Sequence, residues 1–343
     1  MPRIRVEGLT KIYPTGGGVR DIHLDIPTGS HFGVVGPSGA GKSTLLRLIA
    51  GLEMPDSGRV LFDDRDVTRL PPHQQMVAFV AQRPALYSHL NVRRNLTIGV
   101  ELRGGIFGRE DTATSALATE VAEWLGIGPL LDRRVTELSG GEQQRVVLGR
   151  AVVSRHPIWL LDEPLIHLDP VIRDQVRWQL HLIRGRLGPT MIEVTHDPAD
   201  AAQGQFIAVL LDGRLAQVGP PAEVSARPKS RGVATSLGWP PMNFIDGPAA
   251  PNAGAGGTKC ALGVRPEDVG VGIAQDGAAD LGEWALVHVD VHGPRPLWTL
   301  MRNGVRLRRW AEVGDAAPPR VQLHAKPGCL HRFDAATGER LSD

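Results

Sequence analysis

The residues best suited to chemistry are Gly36-Pro37-Ser38-Gly39-Ala40-Gly41-Lys42-Ser43-Thr44. Their spacing is G-x-x-x-x-G-K-[ST], the P-loop pattern of a phosphate cradle. Gly36, Gly39 and Gly41 let the backbone curl, so that successive N–H groups around Ser38 and Thr44 point into one cup. Lys42 adds a full positive charge for the β- and γ-phosphates of a nucleotide. Ser43 offers a hydroxyl to Mg²⁺. The bland alternative is a glycine turn without a ligand.

A second set of residues supplies carboxylates. Ile158-Trp159-Leu160-Leu161 is an apolar run that ends in Asp162-Glu163. An aspartate there helps to hold Mg²⁺ next to a P-loop, and the expected place for its strand is beside the P-loop strand. Glu163 would then sit near the γ-phosphate and accept a proton from attacking water. Gln82 directly follows the run Val77 to Ala81, where a glutamine can reach Mg²⁺ or the water; a plain loop residue is the alternative. His196 follows the run Thr190 to Thr195, at a strand end that faces the nucleotide edge in such folds. Leu138-Ser139-Gly140-Gly141-Glu142 opens a helix and makes a second anion site. One chain with two such cradles is odd, and a glycine-rich helix start reads equally well. Tyr13, before Gly16-Gly17-Gly18, is either an adenine-stacking ring or a surface aromatic beside a turn.

These residues need a frame. His31 to Val35 reads as a buried strand, and Leu45 to Ala50 as the start of an amphipathic helix. Strand, glycine loop and helix together confirm the motif, because the helix N-terminus brings its positive dipole end to the phosphates. Ile4 and Val6, then Ile22, Leu24 and Ile26, alternate with polar residues and predict strands with one packed face. Arg59 to Phe62 and Val77 to Ala81 are further strands. From about 84 to 140 the apolar spacing turns helical, notably over 91–98 and 112–125. Phe206 to Leu211 and Leu215 to Val218, joined by Asp212-Gly213, predict a hairpin. The pattern breaks up around 225–241. Residues 247–257 are rich in Gly, Ala and Pro and read as a flexible connection. Beyond them Ala285, Val287, Val289 and Val291 share a strand face. Short runs follow near 297–301, 305–310 and 320–325, a spacing that predicts a small β-barrel-like domain.

Composition narrows the function classes. The chain has 343 residues, more than one ordinary domain. Its Lys plus Arg count of 38 against 37 Asp plus Glu gives a net charge of +1. That balance makes no field for nucleic acid or an anionic membrane. No apolar run approaches the roughly 20 residues of a membrane helix. The opening Met1-Pro2-Arg3-Ile4-Arg5 is no secretory signal. Two cysteines, Cys260 and Cys329, fit a reducing cytoplasm rather than a disulfide framework. Work at a membrane would go through a partner.

With these motifs in place the chain resembles the ATPase subunit of an ABC transporter over roughly residues 3–235. GPSGAGKST matches the Walker A motif, LSGGEQQR the ABC signature and IWLLDEP the Walker B strand with its catalytic glutamate. Gln82 falls at the Q-loop, His196 at the switch histidine, Asp169 in the D-loop and Tyr13 at the aromatic A-loop position. The resemblance implies ATP and Mg²⁺ as ligands and a head-to-tail cassette dimer, homodimeric or with a paralogue. Each signature, through Ser139, Gly140 and Gly141, would cap the ATP on the partner's P-loop. The C-terminal third resembles the regulatory OB-type domain of the carbohydrate-import subfamily, the maltose and glycerol-phosphate type. Gly263-Val264-Arg265-Pro266-Glu267-Asp268, Met242-Asn243-Phe244-Ile245 and the stretch Ala78 to His89 carry that likeness.

The expected fold is therefore an α/β P-loop cassette over 1–235 with a helical subdomain at about 84–140, followed by a small all-β domain over 236–343. The expected partners are transmembrane permeases and, indirectly, a solute-binding protein, with no nucleic acid. The expected location is peripheral, on the cytoplasmic side of the cell membrane. Two departures stand out. Ile166 stands in the D-loop segment Leu165-Ile166-His167-Leu168-Asp169 where the family usually has serine, and Ala81-Gln82-Arg83 replaces the usual Phe-Gln start of the Q-loop. Both bear on the hydrolysis rate and on cross-talk between sites. The alternatives are a partly degenerate subunit paired with a paralogous ATPase, and a non-transport ABC protein.

Overall fold

The structure, a computed structural model, describes residues 1–103, 112–166, 168–246, 260–275, 277–291, 295–312, 314–315 and 317–341. The chain divides into two compact units, Met1–Pro221 and Ala222–Asp343. Residues 222–235, which the sequence reading assigns to the first domain, lie in the second unit.

The first unit is built on two sheets. β1 (Ile4–Ile12), β2 (Gly18–Ile26), β4 (Ser57–Phe62) and β5 (Arg65–Asp66) form an antiparallel sheet in the order β2-β1-β4-β5. Their alternating residues Ile4, Val6, Ile22, Leu24 and Ile26 are buried, so period-2 patterning reads true here. The second sheet holds β3 (His31–Val35), β6 (Val77–Val80), β7 (Ile158–Asp162), β8 (Thr190–Val194), β9 (Phe206–Leu211) and β10 (Arg214–Gly219). Its order is β10-β9-β3-β8-β7-β6. All its pairs are parallel except the hairpin β9–β10.

Helices explain why the parallel strands are largely apolar without alternating. α1 (Lys42–Ile49) packs Leu45, Leu46, Leu48 and Ile49 on one face, against Phe32, Val34, Ile158, Leu160, Ile192 and Val194. On the other face Trp159, Leu161 and Met191 meet α2 (Val92–Arg103), α3 (Thr112–Trp124), α4 (Gly140–Val153) and α5 (Pro170–Leu187). A strand covered on both sides has no reason to alternate. The helical stretch expected from about 84 to 140 is present as α2 and α3. α6 (Pro198–Ala201) is a single turn after β8. Among the described residues no helix is long and apolar enough to cross a membrane.

α7 (Pro221–Ala226) runs over the division between the units. The second unit continues with α8 (Arg231–Thr235), a helix inside the stretch whose sequence pattern looked broken. Its N-cap Ser230 accepts a hydrogen bond from the Val233 N–H. A three-stranded sheet has the order β11 (Asn243–Ile245), β12 (Cys260–Val264), β18 (His331–Asp334). A five-stranded sheet comprises β13 (Val269–Val271), β14 (Ala279–Asp290), β15 (Leu297–Arg302), β16 (Val305–Trp310) and β17 (Arg320–Ala325), in the order β13-β17-β14-β15-β16. Their core is Leu281, Trp284, Trp298, Leu300, Leu307, Val321 and Leu323. The expected apolar face of β14 behaves otherwise. Val287 is 56% exposed, whereas Trp284 is buried, and a register shift separates Leu286 from His288. The expected flexible connection at 247–257 lies outside the described residues.

Candidate active site

Four parallel strands deliver the predicted groups to one edge of the sheet. β3 runs into Gly36, β6 into Gln82, β7 into Asp162 and Glu163, and β8 into Thr195 and His196. The carboxylate strand does not lie beside the P-loop strand as expected, because β8 stands between them. The site forms nonetheless, because α1 packs across β3, β8 and β7 together. Its N-terminal turn thus reaches Asp162, and the Ser43 hydroxyl donates to Asp162 Oδ1 at 2.9 Å.

The loop needs its glycines at two places. Gly36 has φ 154°, and a Cβ there would lie 2.1 Å from the Leu210 carbonyl oxygen. Gly41 has φ 96°, and a Cβ would lie 2.4 Å from the Gly18 carbonyl oxygen. Gly18 opens β2, so the β1–β2 loop that carries Tyr13 closes against the P-loop. Lys42 is buried, and its ammonium donates to the carbonyls of Gly36 at 2.7 Å and Pro37 at 2.9 Å. Burial pulls its pKa down, opposed by Glu163 and Asp162. Burial likewise pushes the Asp162 carboxyl up, opposed by the Ser43 hydrogen bond.

Glu163 joins three strands. Its N–H donates to the Val194 carbonyl at 2.8 Å. Its φ of 49° lies in the left-handed region, which a residue preceding proline enters only when its surroundings hold it. The carboxylate accepts from Gln82 Nε2 at 3.2 Å and lies 3.4 Å from His196 Nδ1. Gln82, Glu163 and His196 therefore meet at one oxygen, Glu163 Oε2.

The remaining candidates stand elsewhere. The Tyr13 hydroxyl bonds to Glu53, and burial followed by that bond raises its pKa. Ser139 is the exposed N-cap of α4, whose buried residues belong to the core on the opposite face of the sheet from α1. Gly140 has open space where a Cβ would be. Asp169 caps α5 by accepting from the Ile172 N–H at 3.1 Å.

Two supporting residues escaped the sequence reading, and a third, Glu142, was named there only as part of a helix start. Glu53 lies 40 positions from Tyr13, with no spacing signal. Arg177 of α5 pairs with Asp200 and Asp174 and lies 4.0 Å from Asp197, so it tethers the turn after His196. Glu142 was legible as the fourth residue of an S-x-x-E capping box.

Comparison with known proteins places this geometry. An sn-glycerol-3-phosphate import ATP-binding protein, UgpC, of Jannaschia sp. is 37% identical, and the match covers 99% of this chain and 100% of that protein. A xylose/arabinose import ATP-binding protein, XacK, of Haloferax volcanii is 40% identical over 100% of this chain and 96% of its own. The chain belongs to the ABC transporter family. The family model described as ABC transporter matches residues 19–166, which include the P-loop, the signature and the carboxylate strand. The ATP-binding cassette MJ0796, solved as a dimer bound to ADP and Pi, aligns with a TM-score of 0.56 and 27% identity over 64% of this chain and 98% of its own. A nucleotide-free cassette of an ABC transporter shares the fold at a TM-score of 0.58 and 24% identity over 67% of this chain and 97% of its own. This chain is thus an ABC ATPase cassette, joined to a strand-built C-terminal unit.

Proposed function

We propose that this ATPase is the energy-supplying subunit of an importer for a sugar, polyol or glycerol-phosphate-like solute. The names of the relatives support that solute class. Its partners would be a second cassette and a pair of transmembrane permeases, with a solute-binding protein acting through them. The chain would sit peripherally on the cytoplasmic side of the membrane.

The P-loop amides and Lys42 bind the β- and γ-phosphates, and Tyr13 stacks on the adenine. Ser43, Asp162 and Gln82 would hold Mg²⁺. Hard oxygen donors, one of them a carboxylate, suit that ion, and the Ser43–Asp162 contact at 2.9 Å brings two of them together. Mg²⁺ would supply neutralising charge for the phosphates. Glu163 accepts the proton of the attacking water, whose oxygen bonds to the γ-phosphorus as the bond to the β-phosphate oxygen breaks. His196 and Gln82 orient that carboxylate and the water. Ser139, Gly140, Gly141 and Asp169 serve the nucleotide of the opposing cassette. ATP binding closes the pair, and hydrolysis with product release reopens it.

The observation that carries this reading is the meeting of Gln82, Glu163 and His196 at one carboxylate oxygen beside the P-loop edge. Glu163→Gln should keep Mg-ATP binding and slow steady-state hydrolysis by roughly two to four decades. Near-normal turnover would remove Glu163 from the role. Reconstitution with candidate permeases, screening solutes for stimulation of the ATPase, tests the importer assignment. Stimulation by no sugar, polyol or glycerol phosphate would remove that solute class.

A further inference from the structure

The signature helix already holds an anion, and it is this chain's own. Ser139 donates both its N–H and its hydroxyl to Glu142 Oε2, each at 2.8 Å. The Glu142 N–H donates back to Ser139 Oγ at 3.4 Å. Ser139 is exposed, and Gly140 has open space around its Cβ position, so solvent and an incoming group reach this helix start freely. The two Ser139 donors are thus spent on a carboxylate at the place that would serve the nucleotide of the opposing cassette.

We infer that Glu142 acts as an internal competitor for the signature cradle, setting how much ATP is needed to close the cassette pair. This rests on the shared-site reading above. A phosphate that takes the Ser139 hydroxyl must turn that O–H away from Glu142. It must also approach a negative charge one hydrogen bond away, which Arg145 and Arg133 offset only in part. Hydrogen bonds from the Ser139 hydroxyl and N–H hold the Glu142 carboxyl below the usual carboxylate range, so it stays charged at neutral pH. Glutamine at this position keeps the length and the hydrogen-bonding oxygen of the cap while removing the charge, and both residues cap well in this box. Repulsion between like charges about 5 Å apart at a half-screened interface corresponds to about tenfold in affinity per site.

The test uses the full chain carrying Glu163→Gln to stop hydrolysis, at neutral pH with excess Mg²⁺. The ATP concentration for half-maximal dimerisation is read by analytical ultracentrifugation. Glu142→Gln should lower it by about tenfold, with an unchanged melting temperature for the nucleotide-free protein. The gap from the parent should narrow in high salt, which screens exposed charges. Ser139→Arg separates the shared site from the role of Glu142. Dimers that persist in Ser139→Arg would refute the shared site, and this inference with it. If Ser139→Arg abolishes the dimer while Glu142→Gln leaves the half-maximal concentration unchanged or raises it, the shared site stands and Glu142 is only a cap.

Discussion

Replacing Lys42 by alanine isolates the strongest charge in the cradle. The ammonium is held by two carbonyls, those of Gly36 and Pro37, at 2.7 and 2.9 Å. Binding phosphate means giving these up. Each such bond is worth about 1 kcal/mol net. Against this, a unit ion pair about 4 Å apart at an effective dielectric near 20 contributes about 4 kcal/mol. The difference of about 2 kcal/mol predicts a rise of about thirtyfold in the Kd for Mg-ATP. Burial lowers the Lys42 pKa, so the folded chain binds fewer protons than the unfolded chain between the depressed value and the ordinary lysine value. The stability cost of the buried ammonium is therefore fully present below that window and fades as pH rises through it. Removing the ammonium should then leave the nucleotide-free melting temperature at pH 7 unchanged or higher. The assay is titration of a fluorescent ATP analogue at protein concentrations too low for dimers, with Glu163→Gln in both proteins. A Kd within threefold of the parent, in a variant that melts normally, would refute the role of Lys42.

Asp162→Asn keeps an oxygen for the Ser43 hydroxyl but loses the charge, so the gain in ATP affinity on adding Mg²⁺ should fall by about tenfold; an unchanged Mg²⁺ effect, measured by calorimetry with and without chelator, counts against Asp162 as a metal ligand. A mixture of Lys42→Ala and Ser139→Arg chains, both carrying Glu163→Gln, should trap labelled ATP in dimers better than either alone, because one intact site is restored; no recovery on mixing counts against a site shared between chains. Gln144 of α4 is fully buried, and its amide N and O have no hydrogen-bond partner among the described residues. Gln144→Met should therefore stabilise the first unit by about 1–3 kcal/mol, seen as a higher calorimetric melting temperature, and a lower one would show that the amide is satisfied.

Most of the candidate site was legible in the residues themselves. A P-loop fixes its own geometry, because the glycines, the lysine and the helix dipole act within a few residues of one another. The carboxylates at the end of β7 and the histidine after β8 were legible because a strand that ends in polar groups presents them at the sheet edge. Period-2 runs predicted β1 and β2, and the 3.6-residue spacing predicted α2 and α3. The capping box at Ser139 and Glu142 is equally local, although only the distances reveal that Glu142 takes both Ser139 donors. Strand neighbours were a different matter. Nothing in the run Ile158 to Asp162 says that β8 will stand between it and β3, since either order buries the same apolar side chains. The packing of α1 across three strands decides it, and with it the contact of Ser43 with Asp162. The same holds for Tyr13 with Glu53 and for Arg177 with Asp200, where the partners are far apart in sequence. On β14 the alternation of Ala285, Val287, Val289 and Val291 was real but did not choose the core face. A register shift after Leu286 and the bulk of Trp284 did that, because one extra residue in a strand turns every later side chain over. Local chemistry and periodicity are properties of neighbouring residues and survive in the sequence. Sheet order, register and long-range ion pairs are choices among folds that bury similar areas, and only the packed structure makes them.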